Sequence, residues 1–211
     1  MIVEENFLVV DGDLDRNSVP SVPESADERV EDQCSPKEEL VNMNKILEGI
    51  ISEVDQKLEC FPMHFADSSW RESIPSRPGW YLIRTNTPIA VLQSVGSPKY
   101  KAHRDIPQTI CIALSLPKLG IFITQDGDKD YVVYNGEAKN LKARAREHDC
   151  GSPGTYCLAL SNYEILHGYS WTFCCVAMSS CGVKLSEDKL LRLAVEQGWR
   201  ARHGWPIICS R

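Results

Sequence analysis

The 211-residue sequence lacks several features that would place it in a common class of protein. No apolar run approaches the ~18–20 residues that a membrane span needs, so we expect no transmembrane helix and no membrane partner. Glu4 and Glu5 stand where a secretory signal would carry positive charge, which favours a cytoplasmic protein. Positive charge is also scarce: 23 Lys and Arg face 29 Asp and Glu, and a net charge of −6 is atypical of a nucleic-acid-binding protein.

Nine cysteines are present, but no two of them form a C-x-x-C pair. Spacings such as that from Cys150 to Cys157 differ from those of zinc-finger ligands, so the sequence does not favour a structural zinc site. Because the number of cysteines is odd and no secretory signal precedes them, we expect no disulfide framework. We expect most of these thiols to be reduced side chains of the core.

Charge divides the chain into two parts. Residues 1–66 hold 16 acidic and five basic side chains, a net charge of −11, whereas residues 67–211 carry a net charge of +5. Residues 1–35 are rich in Asp, Glu, Ser and Pro, which predicts an acidic flexible leader. The leader either restrains the basic body, by occupying its groove as a nucleic-acid mimic, or merely solvates it. The overall charge therefore says little about the function of the body.

An amphipathic helix is predicted after the leader, within a segment of helix and linker over 36–66. Apolar residues recur at steps of three and four from Leu40 to Leu58, which indicates a helix over 37–60 with Ser35 as its N-cap. This helix either docks on the body or pairs with a second copy to give a homodimer.

The body, over 74–211, alternates between short β-rich runs and helical patterns, which predicts a small α+β domain. Strands are predicted at 79–84, 88–95, 109–116, 120–124, 131–136, 155–161 and 171–178. Helices are predicted at 138–148 and from Ser186 to Gly204.

The stretch from Tyr131 to His148, YVVYNGEAKNLKARAREH, carries the clearest chemical signal. Tyr134 lies at the end of a strand, and a basic helix follows in which Arg144 and His148, four residues apart, share one face. A phenol, a guanidinium and an imidazole can therefore converge. These groups suit phosphodiester hydrolysis, in which Arg offsets charge on the phosphate and Tyr or His manages the proton of the attacking water. A carboxylate is still needed to hold a divalent cation.

The same stretch resembles the second half of the GIY-YIG nuclease signature. In that signature an Arg follows the Tyr by ten residues, as Arg144 follows Tyr134, and His148 matches a His of the family's restriction endonucleases. Gly79-Trp80-Tyr81 resembles the first half, and Glu196 resembles the family's metal-holding Glu. The resemblance covers about 75–211 and implies a small central antiparallel β-sheet flanked by helices.

The resemblance also implies a function, a divalent-metal-dependent endonuclease that hydrolyses DNA with Mg²⁺ or Mn²⁺. The catalytic residues it implies are Tyr81, Tyr134, Arg144, His148 and Glu196, with Glu196 as the metal ligand. Tyr81 would deprotonate the water, directly or through His148, and Arg144 would hold the phosphate. Three further basic residues are expected to contact nucleic acid: Lys139, Lys142 and Arg146.

Three departures from the family pattern leave alternatives open. Tyr81 and Tyr134 are 53 residues apart, which requires an insertion at about 85–130, expected as a hairpin-like excursion and a place for target recognition. Gly120-Ile121-Phe122 lies nearer to Tyr134 and could be the first half instead; we favour Tyr81 because it keeps the hydroxyl. The Asn that commonly ends the family's Pro-containing segment is absent.

Two other functions compete with the nuclease. The first is a related fold that has lost activity and binds nucleic acid or protein. The second is an interaction protein whose leader and 37–60 helix carry the function.

Overall fold

The structure, a computed structural model, describes residues 36–116, 121–182 and 189–209. The acidic leader, the N-cap at Ser35 and the predicted helix start at Ser186 lie outside these ranges.

The centre of the body is a four-stranded antiparallel sheet, which confirms the predicted α+β fold. Its strands are β1 (Glu59–Pro62), β2 (Gly79–Thr85), β4 (Tyr131–Ala138) and β5 (Trp171–Ala177), in the spatial order β1-β5-β2-β4. The runs predicted at 79–84, 131–136 and 171–178 are therefore confirmed as strands. β2 lies between β5 and β4, so its side chains have neighbours on both sides.

Helices cover both faces of this sheet. They are α1 (Pro36–Lys57), α2 (Ile89–Ser94), α3 (Ile106–Ser115), α4 (Leu141–Cys150) and α5 (Lys189–His203). α1 and α5 pack on the face that carries Trp80, Leu82 and Val176. α2, α3 and α4 pack on the opposite face, which carries Ile83 and Phe173.

A second, two-stranded parallel sheet pairs β3 (Phe122–Ile123) with β6 (Trp205–Pro206). Phe122 stands opposite Trp205 in this pair. β2 and not β3 is the strand paired with β4 in the central sheet, which places Tyr81, and not Phe122, beside Tyr134.

The predictions of strands at 88–95 and 109–116 are wrong, because both segments form helices, α2 and α3. In α3, Ile106, Ile110 and Ala113 are buried at the helical spacing i, i+4 and i+7, so one stripe faces the core. Asp105 caps this helix by accepting a hydrogen bond from the Gln108 backbone N–H at 2.9 Å. Short apolar runs do not by themselves separate helix from strand. The insertion is thus helical and not a hairpin-like excursion.

The segment predicted as a strand at 155–161 contains no strand. Ala159 adopts a left-handed conformation, φ +51°, which interrupts any extended run, and short 3-10 turns follow at Leu160–Asn162 and Glu164–Gly168. Leu158 and Leu160 are nevertheless fully buried, so the apolar pattern reports core packing and not strand geometry.

The N-terminal segment of the described chain belongs to the body. α1 ends at Lys57 and not at 60, and β1 follows at once and pairs with β5. Ile51 and Val54 of α1 are buried against the sheet and α5, and the compact unit starts at Pro36. The segment 36–66 is therefore not a linker outside a domain that begins at residue 74.

One disulfide joins Cys60 on β1 to Cys174 on β5, which stand opposite each other in the sheet. It corrects the expectation of reduced thiols for this pair. Six cysteines in the described ranges are free, and four of those are buried, as expected for small core side chains. None of the helices in these ranges combines the length and the apolar composition that a bilayer crossing requires.

Candidate active site

Tyr81 and Tyr134 lie side by side because of the register between β2 and β4. Tyr81 stands opposite Gly136, and Tyr134 stands opposite Ile83, so the two tyrosines are diagonal neighbours on one face. Their rings are stacked with centroids 6.2 Å apart. Both side chains are almost fully buried.

Gly136 makes room for the Tyr81 hydroxyl. A Cβ atom at residue 136 would lie 2.5 Å from the Tyr81 Oη and 2.8 Å from its Cζ, well inside van der Waals contact. The Gly of the Tyr-x-Gly motif is therefore required by the close approach of Tyr81 to the β4 backbone. Gly79 on β2 is also a position where no side chain fits. A Cβ there would meet the Val176 carbonyl oxygen of β5 at 2.1 Å.

α4 brings Arg144 and His148 to the tyrosines. Asn140 caps the helix by accepting a hydrogen bond from the Ala143 N–H at 2.9 Å, and Leu141 and Ala145 are buried and anchor it on the sheet. Arg144 and His148 project from neighbouring turns of the same face. The strand, turn and helix of the motif thus form one local unit.

The Tyr81 oxygen is the meeting point of the site. Arg144 Nε donates to Tyr81 Oη at 3.0 Å, and His148 Nε2 lies 3.0 Å from the same oxygen. The backbone N–H of Leu158 donates to His148 Nδ1 at 3.3 Å, so this nitrogen is an acceptor and carries no hydrogen. We therefore assign the proton of the neutral ring to Nε2, which donates to Tyr81. The Tyr81 oxygen accepts two N–H groups, and its own hydrogen is left for a third partner.

Burial controls the protonation of these groups. Loss of hydration raises the pKa of Tyr81 well above its usual value, and it also raises the pKa of Tyr134. Burial lowers the pKa of His148 well below its usual value, and the charges of Arg144 and Arg104 lower it further. At neutral pH the site therefore holds two neutral phenols and a neutral imidazole beside cationic guanidiniums. His148 is not a solvated cation at a helix end.

Arg144 is partly exposed and has other partners besides Tyr81. Nη1 donates to the Glu147 carboxylate at 2.7 Å, and Nη2 donates to the Tyr156 carbonyl at 3.1 Å. These contacts fix the plane of the guanidinium. Its partly exposed position leaves it reachable by a ligand at the surface.

Glu196 of α5 approaches the site from the other face of the sheet. It lines a cavity of about 20 Å³, room for about one water, together with Tyr81, Asn135 and Gly136. One of its oxygens pairs with Arg200, and the other accepts the Glu137 backbone N–H at 3.1 Å. Burial raises the pKa of Glu196, and Arg200 opposes the rise. The carboxylate is therefore largely buried and not a freely solvated surface charge.

The metal-ligating groups near the site suit only a cation that is held by few protein ligands. The described part of the chain contains no group of three or more His, Cys, Asp or Glu side chains that could hold a metal. Each Glu196 oxygen has one protein partner and keeps a second lone pair. Since Mg²⁺ retains several waters and is commonly held by one or two carboxylates with substrate phosphate, Glu196 fits such an ion. Arg200 is the competing cation.

The three basic residues expected to contact nucleic acid have different surroundings. Lys139 and Arg146 are exposed. Lys142 donates to the Glu72 carboxylate at 3.0 Å and is therefore already paired. His203, which follows Glu196 on α5, pairs with Asp55 of α1 and does not approach the tyrosines.

Sequence reasoning missed Arg104, which lies in the insertion near Tyr134. It also missed the network on the other side of Glu196, where Arg200 donates to the side chain of Asn135 at 2.7 Å and the Asn135 N–H donates to the Cys209 sulfur at 3.2 Å. No local pattern identifies these residues, because each contact joins distant parts of the chain. Cys209 lies in the segment after Pro206, where the family's Asn is absent.

Comparison with known proteins gives no match: no protein-family model, curated protein or solved structure is significantly similar to this chain.

Proposed function

We propose that the chain is a GIY-YIG-type endonuclease that hydrolyses DNA phosphodiester bonds with Mg²⁺ or Mn²⁺. The observation that carries the proposal is the Tyr81 oxygen, which lies 3.0 Å from both Arg144 Nε and His148 Nε2. Tyr81, Arg144 and His148 are predicted to act together, and they meet at this one oxygen. Along the chain, 63 and 67 residues separate Tyr81 from the other two.

The hydrogen bonds support a particular role for Tyr81. The two N–H donors stabilise negative charge on the Tyr81 oxygen. This offsets part of the rise in pKa that burial causes. Its free O–H hydrogen can point toward an attacking water or a phosphate oxygen. His148 donates to Tyr81 in the assigned tautomer and does not accept its proton, so we leave a relay through His148 out of the mechanism.

The remaining residues have simpler roles. Arg144 holds the phosphate with the second hydrogen of each Nη, and Tyr134 orients the water or the phosphate beside Tyr81. Glu196 would hold the divalent cation, which when bound supplies charge stabilisation at a non-bridging phosphate oxygen and at the leaving group. Lys139 is exposed just before α4, and Arg146 is exposed on its outer face. Both contribute further attraction to the DNA backbone.

The test is nicking of supercoiled plasmid by the purified protein with Mg²⁺ and with Mn²⁺. We expect Arg144→Ala to lower the rate at least about 100-fold, as loss of a group that stabilises transition-state charge commonly does. Glu196→Ala should lose metal-dependent cleavage. The matched controls are Lys45→Ala and Glu164→Gln, which remove exposed charges outside the site. Equal nicking by all five proteins would refute the assignment.

A second function, a nucleic-acid-binding module without activity, is favoured by one observation. Arg200 neutralises Glu196 from within the same helix, which leaves the carboxylate less available to a cation. The wild type and the variants of the nicking experiment also distinguish the nuclease from the binding module. DNA binding without cleavage, lost in Arg144→Ala but unchanged in Glu196→Ala, would identify the binding module.

A further inference from the structure

Arg104 and Arg144 both lie beside the tyrosine pair, each near a different ring. Its Cζ is 5.7 Å from the centroid of the Tyr134 ring, and the Cζ of Arg144 is 6.0 Å from that of the Tyr81 ring. The two rings are stacked on each other, and the Tyr81 ring also stacks on Phe173, so the two guanidiniums approach one packed aromatic cluster. The charge of Arg104 also acts on the buried Tyr134 and His148.

The backbone at Arg104 is fixed by its neighbours. Its N–H donates to the Cys157 carbonyl at 2.9 Å, which joins the insertion to the loop after α4. The next residue, Asp105, caps α3, and the preceding residue, His103, is buried and lies 3.2 Å through Nε2 from the Ser152 carbonyl. The backbone at Arg104 is therefore held in place, and the contact of the guanidinium with Tyr134 orders the side chain, which lowers the entropic cost of binding.

The Arg104 guanidinium hydrogen-bonds the Tyr134 hydroxyl, but one of its buried donors, Nε, is left without a partner among the described residues. Within the described ranges no carboxylate lies within ion-pair distance of the guanidinium. Arg144, by contrast, is paired with Glu147. A buried donor on a cation is costly when it is left unpaired, and an anion with acceptor oxygens would satisfy it.

We propose that Arg104 is a second phosphate-binding residue of the site, contributed by the insertion. The inference rests on the proposed nuclease function and deepens it. A phosphate of the DNA backbone binds at the surface beside Tyr134, where it contacts both Arg104 and Arg144, whose charges act on the same buried groups, Tyr134 and His148. Arg104 thereby links the insertion to substrate binding.

The experiment measures binding of a fluorescent 20-base-pair duplex by anisotropy from 0.05 to 0.3 M KCl, without divalent cation, beside plasmid nicking with Mg²⁺. Arg104→Met keeps the apolar stem over Tyr134 and removes the charge. We expect its Kd at 0.1 M KCl to rise about tenfold or more. The slope of log Kd against log [KCl] should fall by about one. Arg104→Lys should retain the slope, and Lys45→Met on the opposite face of the sheet is the control for loss of one charge.

A merely structural role for Arg104 would not change the salt slope. A wild-type protein that binds and nicks, with an Arg104→Met variant of equal slope and a wild-type unfolding temperature, would overturn the assignment of Arg104 and leave the nuclease intact. A wild-type protein that neither binds nor nicks would overturn the proposed function and, with it, this inference. Equal loss of slope in Arg104→Met and Lys45→Met would attribute the effect to net charge and would also overturn it.

Discussion

The Tyr81 hydroxyl accepts a hydrogen bond from Arg144 Nε at 3.0 Å, and this bond joins the second strand of the sheet to the helix that follows β4. Sixty-three residues separate the two side chains along the chain. The strand register and the docking of α4 bring them together, and both half-motifs predicted from the sequence meet at this contact.

Removal of the Tyr81 hydroxyl should separate its chemical role from its structural one. We expect Tyr81→Phe to lower plasmid nicking by about 10²–10⁴-fold, the range expected for a group that manages a proton. Stability should fall by about 1–3 kcal/mol, because buried N–H groups of Arg144 and His148 lose an acceptor.

Tyr131→Phe is the matched control for this variant. It removes another buried hydroxyl, which donates to the Thr87 carbonyl at 2.9 Å, from the same pair of strands. We expect a comparable loss of stability with nicking close to wild type. Denaturant unfolding and initial nicking rates measure the two effects, and equal rates in both variants would rule out a chemical role for Tyr81.

Gly136→Ala tests the close approach of Tyr81 to β4. The added methyl would lie 2.5 Å from the Tyr81 Oη, so the ring must move away from its two donors. We expect a loss of about 1–3 kcal/mol of stability from overpacking, together with loss of nicking. Gly96→Ala is the control, because a Cβ at that position meets no atom within 4 Å. Wild-type nicking by Gly136→Ala would show that the position of the hydroxyl does not matter.

His148 should make the fold sensitive to acid. Burial lowers the pKa of His148 in the folded state, whereas the unfolded chain has the ordinary value of 6.5. Below pH 6.5 the unfolded state therefore binds a proton that the folded state does not. The free energy of unfolding should fall by up to about 1.4 kcal/mol per pH unit there, until the folded-state pKa is reached.

The measurement is urea unfolding from pH 7.5 to 5.0 for the wild type and for His148→Gln. We expect the variant to lose this part of the acid sensitivity, and His64→Gln, at an exposed residue, to keep it. Parallel curves for the wild type and His148→Gln would contradict a neutral buried imidazole.

The first half of α1 is the place to test the predicted homodimer. Ile51 and Val54 dock on the body, but Leu40 and Met43 in the same apolar stripe are 60% and 64% exposed. If α1 pairs with a second copy, light scattering during size exclusion should give twice the monomer mass for the wild type. Leu40→Glu with Met43→Glu should give the monomer mass, since charge in an apolar interface opposes association.

Lys45→Glu, on another side of α1, is the control for added negative charge and should remain dimeric. A wild-type protein of monomer mass at 0.1 mM would contradict pairing through α1.

The strand, turn and helix between Tyr131 and His148 could be predicted from the sequence alone, because the signals for these elements are local. The strand run, the Asn140 cap and the four-residue spacing of Arg144 and His148 depend on neighbours within two turns of helix. The same holds for the strands at 79–84 and 171–178. It does not hold for α2 and α3, whose short apolar runs are compatible with either structure until a core selects one face.

Which groups share the site depends on tertiary packing. The sheet order places Tyr81 and not Phe122 beside Tyr134, since pairing between strands depends on the whole sheet and not on spacing. Burial, a property of the packed core, makes His148 neutral, and the Leu158 N–H fixes which nitrogen carries its proton. Arg104 reaches Tyr134 from the insertion, and no local pattern encodes a contact between groups so far apart in the chain.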